Sequence, residues 1–349
     1  MEAVLTCMVD EQLGPGETAQ RLIQSVKEAT GCDGGVALRS SAIALEYALR
    51  AISLPAGSKV MMSALAPSWQ LLTVEKFGYE PLVLDVNEQD GLITIDSFKE
   101  AVQSGGSLLI LTESMGILPD IQLFLEAGIP VIEDVSQSAF SRYQSQVSEV
   151  SEGVPAQEGA DELPPGKCAG MNGLYAIFGM EDRDIVTAGG GAVLFAAGRR
   201  EWTVLKQLAD NAPQTDLMPD MNAALAFVEV KEFKRNEEKR RELFALYSKA
   251  VMTGRHKTFV RPEGNGSTVY SFPVVLNTGF KEVQQYAHKK GIEVSPAYEN
   301  SIIALRQEVL APKCICANSL LLRCALFPLY PRLGQKDAAR IVKVLSTLP

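Results

Sequence analysis

The chain has 349 residues, 46% hydrophobic and 21% charged, with 33 basic against 42 acidic side chains and a net charge of −9. That apolar fraction excludes disorder over most of the chain, and the length fits two domains or one large core with an appendage. The acidic balance argues against binding nucleic-acid phosphates or anionic membranes, and no run of eighteen apolar residues offers a bilayer span.

From Arg39 to Phe195, short apolar runs alternate with helical patterns. A strand-like Gly35–Leu38 precedes a helix over Ser40–Ile52, where Ile43, Tyr47 and Ala51 recur at the 3.6-residue period. Strands are predicted at Lys59–Ser63, Pro81–Val86, Ser107–Thr112, Ile129–Glu133, Leu174–Phe178 and Ala192–Phe195. Helices at Ser68–Phe77, Ile95–Val102 and Asp120–Ala127 fall between them. Continuously apolar strands separated by helices are buried on both faces, which predicts an α/β domain of three layers, α/β/α, around a mostly parallel sheet.

Ser141 to Gly166 is rich in Ser, Glu, Gln, Gly and Pro and reads as a polar insertion between core strands. Beyond the Gly189–Gly191 turn, helices are predicted over Arg199–Asp210 and, as one long element, over Asn222 to about Val251. The mixed charges of Lys231–Glu242 pair locally on a solvated helix, at ~0.2–0.5 kcal/mol each, so they are no nucleic-acid surface. A strand over Thr268–Leu276 and helices over Lys281–Lys290 and Asp337–Leu348 complete a smaller α+β domain. The expected division is a large domain over 1–235 and a small one over 236–349.

The six cysteines (Cys7, Cys32, Cys168, Cys314, Cys316 and Cys324) show no C-x-x-C pair, and His256 and His288 are far apart. They read as reduced thiols and supply a zinc site poorly. The N-terminus lacks a basic region before an apolar stretch, so no signal peptide is expected and the location implied is cytoplasmic.

Several residues sit where chemistry gathers in such sheets. Asp134 closes an apolar strand, and ligands collect beyond the carboxyl ends of parallel strands; an Asp there also serves as a helix cap. Ser40 and Ser41 open a helix whose free N–H groups suit a phosphate or need simple capping. Trp69 begins another helix and is placed to stack on an aromatic ligand or to pack in the core.

In their order these pieces resemble the DegT/StrS family of sugar-nucleotide aminotransferases, pyridoxal phosphate enzymes of the aspartate-aminotransferase type (fold type I). Ser40-Ser41-Ala42-Ile43-Ala44-Leu45 resembles the family's S-G-T-A-A-L, and Pro67-Ser68-Trp69 its P-S-x-T-F segment. Ile132-Glu133-Asp134-Val135-Ser136-Gln137-Ser138 is close to I-E-D-A-A-Q-A. Gly189-Gly190-Gly191-Ala192-Val193, Met221-Asn222 and Leu326-Phe327-Pro328-Leu329-Tyr330-Pro331 resemble G-E-G-G-A-V, the R-M-N helix start and L-P-L-Y-P. The resemblance implies that Asp134 faces the pyridine nitrogen and Gln137 the phenolic oxygen. It implies that Ser40 and Ser41 hold the phosphate, that Trp69 and Asn222 border the cofactor, and that the protein is a homodimer acting on a nucleotide-linked sugar.

One departure stands out. Where the family reads S-F-x-P-x-K-x-(L/I)-T-x-G-E-G-G, this chain has Ala176-Ile177-Phe178-Gly179-Met180-Glu181-Asp182-Arg183-Asp184-Ile185-Val186-Thr187-Ala188-Gly189. Counting from Phe178 puts Asp182 at the lysine; counting back from the glycines puts Arg183 there. An aspartate is no amine, and a guanidinium stays protonated, so neither can hold the aldehyde covalently. Three functions follow: a transaminase, against which the missing lysine speaks; an enzyme holding pyridoxal or pyridoxamine phosphate noncovalently for other sugar chemistry, such as a dehydratase; or a noncatalytic relative that binds a ligand or partner.

Overall fold

Seven short apolar runs become one sheet: β1 (Gly34–Leu38), β2 (Lys59–Ser63), β3 (Glu80–Leu84), β4 (Gly106–Thr112), β5 (Val131–Asp134), β6 (Tyr175–Gly179) and β7 (Ala192–Ala196). The computed structural model describes residues 2–11, 13–144, 166–262 and 266–349; most of the expected insertion, residues 145–165, lies outside them. The strand order is β1-β7-β6-β5-β4-β2-β3. Strands β2 to β6 run parallel to one another, whereas β7 is antiparallel to both β1 and β6.

Adjacent residues of one strand enter different cores, which is what a sheet covered on both sides requires. In β6, Tyr175 and Ile177 join the cluster beneath helix Ser41–Ile52, while Ala176 and Phe178 join the one beneath helix Glu17–Thr30. In β7, Ala192 and Leu194 divide from Val193 and Phe195 in the same way. The layered architecture expected from the apolar runs is therefore present, and the first six predicted strands agree with the observed ones to within two residues.

A second sheet holds β8 (Phe272–Val275), β9 (Ser295–Pro296) and β10 (Cys324–Phe327) in the order β8-β10-β9, all antiparallel. Helices Phe233–Val251, Phe280–Lys289 and Gln335–Leu345 cover it, with Tyr247, Phe272, Val283 and Ile341 in one apolar cluster.

Two expected elements differ. The single helix from Asn222 to Val251 is two, Asp220–Lys231 and Phe233–Val251, joined at Glu232. No Gly or Pro marks the break; Phe233 instead turns its ring edge-on to Phe140 at 4.8 Å, and Phe140 packs in turn on Phe178. The strand expected over Thr268–Leu276 forms only over Phe272–Val275. Upstream, side chains take the backbone groups that a ladder would use: Thr268 N donates to Ser141 Oγ at 2.9 Å and Val269 N to Glu237 Oε1 at 2.8 Å. Helices Glu2–Val9, Glu17–Thr30 and Ile315–Arg323 also form where no element was expected.

Candidate active site

The carboxyl ends of β4, β5 and β6 open into a cavity of about 360 Å³. Asp134 ends β5 and is buried, with both carboxylate oxygens engaged. Gln70, fully buried on helix Ser68–Lys76, donates from Nε2 to Asp134 Oδ2 at 2.7 Å and to Thr112 Oγ1 at 3.0 Å. Ser136 donates to Asp134 Oδ1 through its N–H at 3.1 Å and through its hydroxyl. Burial pushes the Asp134 pKa up, and these hydrogen bonds pull against the shift. Oδ1 accepts two bonds and Oδ2 one, so Oδ2 keeps a lone pair for a further cationic donor.

Trp69 and Gln137 also line the cavity. Gln137 is fixed by its Oε1, which accepts from Met115 N at 2.8 Å. Met115 follows β4 with φ 56, an uncommon angle for a side-chain-bearing residue. Arg261 holds this turn: Nη2 donates to Met115 O at 2.9 Å and Nη1 to Thr268 O at 3.1 Å. Only glycine suits position 116, because a Cβ there would lie 2.5 Å from Thr268 O.

The helix Ser41–Ile52 aims its N-terminus at the same cavity. Ser40 caps it, accepting from Ile43 N at 3.2 Å, and is not among the cavity's lining residues. Ser41 lines the cavity; its hydroxyl is buried without a partner, and its N–H donates to Glu181 Oε1 at 3.2 Å. Three oxygens converge over the bare Cα of Gly179: a Cβ would stand 2.6 Å from Ser41 Oγ, Ser136 Oγ and Asp184 Oδ2 alike.

Asp182 and Arg183, the residues expected near the lysine position, are exposed at the cavity rim. The Arg183 guanidinium pairs with Glu299, and that hydrogen bond raises its pKa further. Asp184, not among the expected site residues, turns its carboxyl inward and accepts from Glu181 N at 2.8 Å. Burial, aided by the charges of Asp134, Glu181 and Asp182, pushes its pKa up to about 8. Its signal in the sequence was faint: an acid three residues beyond Glu181 that can reach back to a loop amide. Asn222 stands apart from the cavity lining; its Nδ2 donates to Ala188 O at 2.8 Å and so holds the turn before the glycine triplet.

The cavity lining carries five carboxyl groups (Asp134, Glu181, Asp182, Asp184, Glu299) and one guanidinium, Arg183. Among the described residues, no lysine lines it. Lys206, one of the two lysines nearest in sequence, pairs on the surface with Asp210 at 2.6 Å. Asp182, Arg183, Asp184 and Tyr270 also border a second, larger cavity of about 940 Å³, which Arg240, Arg332 and Arg340 line.

The family model of the DegT/DnrJ/EryC1/StrS aminotransferases matches residues 1–346. The chain belongs to that family. Similar solved structures include Spr1654 of Streptococcus pneumoniae, described as a sugar aminotransferase, in its PLP form. It is 16% identical with a TM-score of 0.84, covering 99% of this chain and 95% of the other. An aminotransferase from Psychrobacter cryohalolentis is 16% identical with a TM-score of 0.83, over 99% and 94%. GDP-4-keto-6-deoxymannose-3-dehydratase with bound GDP-perosamine is 14% identical with a TM-score of 0.82, over 99% and 96%. At these identities the likeness establishes the shared fold of this DegT-family chain, PLP-dependent fold type I.

Against the pyridoxal phosphate of such relatives, the two ends of the cavity behave differently. Asp134, Gln137 and Trp69 suit a protonated pyridine ring. At the other end the partnerless Ser41 hydroxyl suits a phosphate oxygen, but the neighbouring N–H is already given to Glu181.

Proposed function

We propose that this DegT-family chain binds pyridoxal or pyridoxamine phosphate noncovalently beside Asp134 and does not transaminate by lysine chemistry. Two facts carry this reading: the cavity keeps a buried carboxylate for a pyridinium, and no lysine is among the described residues lining it. When bound, the cofactor supplies an electron sink at the ring. The chain's own contribution is narrower. Asp134, oriented by Gln70 and Ser136, favours the protonated ring nitrogen; Gln137 is held by Met115 N to present its amide to the ring. Asp184, its pKa pushed up to about 8 by burial, is able to give or take a proton in this cavity at neutral pH.

The second cavity supports a nucleotide-linked sugar as the partner molecule. It adjoins the first through Asp182, Arg183 and Tyr270, and Arg332 offers a cation for a diphosphate beside Arg240 and Arg340, the latter paired with Asp337 at 3.6 Å. A homodimer in the cytoplasm completes the proposal. The family supports the first, and six free cysteines support the second.

Borohydride reduction of the protein with pyridoxal phosphate, followed by peptide mass mapping, tests the central claim. The expected result is no modified peptide at stoichiometric yield, together with a cofactor-induced rise in melting temperature that dialysis reverses. Ligand at 100-fold its Kd stabilises by ~2.7 kcal/mol, which a melt resolves. A single lysine peptide carrying the reduced cofactor would overturn it.

A further inference from the structure

The N-terminus of helix Ser41–Ile52 has the makings of an anion seat. First-turn N–H groups lack intrahelical partners, and the helix dipole favours negative charge there. Ser40 Oγ satisfies Ile43 N, and the buried Ser41 hydroxyl has no partner at all. An anion is nevertheless present: the Glu181 carboxylate accepts from Ser41 N at 3.2 Å. A second acid lies close by, since Asp184 Oδ2 and Ser41 Oγ crowd the same face of Gly179.

Resting on the cofactor-binding reading above, we propose that Glu181 is an internal occupant of the phosphate seat, so that a phosphorylated ligand, the proposed cofactor included, binds only by displacing it. A phosphate monoester carries a charge of about −1.5 to −2 at neutral pH and would have to displace a carboxylate that already meets the same need. An unphosphorylated pyridine amine makes no such demand. Its hydroxymethyl arm can donate to Glu181, and its ammonium group suits a lining with five acids and one arginine. The movement required is small. Asp184 anchors the Glu181 amide at 2.8 Å, so the backbone stays and only the part-exposed side chain swings away. Glu181 is thus a specificity-determining residue at the Ser41 end of the cavity, distinct from the ring end held by Asp134.

Calorimetry of pyridoxamine 5′-phosphate and of pyridoxamine, on wild type, Glu181→Ala and Glu181→Gln, separates the possibilities. Glu181→Ala should bind the phosphorylated form at least tenfold more tightly than wild type, whereas pyridoxamine, which loses the acceptor for its hydroxymethyl arm, should bind no more tightly. Glu181→Gln, which keeps the shape and loses the charge, should move the same way. Equal or weaker binding of the phosphorylated form by Glu181→Ala overturns the assignment while leaving noncovalent binding by wild type intact. Inorganic phosphate titrated against the Ser41 amide resonance gives an independent readout. It should shift that amide in Glu181→Ala at concentrations that leave wild type unmoved, and it does so even if neither chain binds the pyridines, in which case only the broader reading falls. No phosphate response in the variant also overturns the role of Glu181.

Discussion

Burial decides the protonation of Asp184. Its carboxyl lies against Gly179 with Asp134, Glu181 and Asp182 near, all of which oppose a further negative charge. The folded-state pKa, about 8, stands above the ordinary value of 3.8, so the native protein holds this proton to higher pH than the unfolded chain does. The associated stability is complete below pH 3.8 and drains away as pH rises through about 8. Asp184→Asn removes the ionisation and should therefore melt higher than wild type by a margin that widens from pH 5 to pH 8, to several degrees, and then levels off. Thermal melts across that range check this; a margin independent of pH would contradict it. At this scale the sequence picked out candidate residues but not their stations. Asp134, Gln137, Trp69, Ser41, Asp182 and Arg183 meet at one cavity, yet Ser136 and Asp184 line it too, and Gln70 supports Asp134 from behind. Gln70 reaches Asp134 from 64 residues away, whereas Ser136 and Asp184 bond to near neighbours in sequence, Asp134 and Glu181, and only the fold shows that these bonds face the cavity.

Elements owe their ends to side chains lent by other elements. Helix Glu17–Thr30 has a glycine at its N-cap with no capping side chain of its own. Asp220, buried at the start of helix Asp220–Lys231, serves it instead, accepting from Gly16 N at 3.0 Å, Thr18 N at 3.1 Å and Ala19 N at 2.9 Å. Asp220→Ala should destabilise the protein by about 1–3 kcal/mol, since three donors lose their acceptor. Urea unfolding reads the loss, and hydrogen exchange should quicken first at Gly16, Thr18 and Ala19. That arrangement explains why the helix was not legible: its cap is some two hundred residues away, and local rules look for it next door. The reverse holds for Ser41–Ile52, whose periodic apolar face and adjacent Ser40 cap made it readable almost to the residue.

The molecule as a whole joins two sheets across the cavity, and Arg261 is a tie between them. Its guanidinium donates to Met115 O, on the turn after β4, and to Thr268 O, on the segment leading to β8, with Phe244 beneath it at 5.0 Å. Burial lowers its pKa to about 10, still far enough above neutrality to keep it charged. Arg261→Met preserves the apolar stem and strands the carbonyls, so it should cost about 2–3 kcal/mol in urea unfolding. The loss should be accompanied by weaker pyridoxamine 5′-phosphate binding, because Met115 N is what holds Gln137; a variant as stable as wild type would refute the tie. Among the described residues no helix is long and apolar enough to cross a membrane. Hydrophobic periodicity is a local property, and it was enough to determine the main strands, the layers and the acid at the end of β5. Which carboxylate occupies the helix terminus at Ser41, where the long charged helix breaks, and which acid turns inward all depend on contacts between distant segments. Only the tertiary structure decided those, because burial and hydrogen-bond competition exist only once the chain has closed on itself.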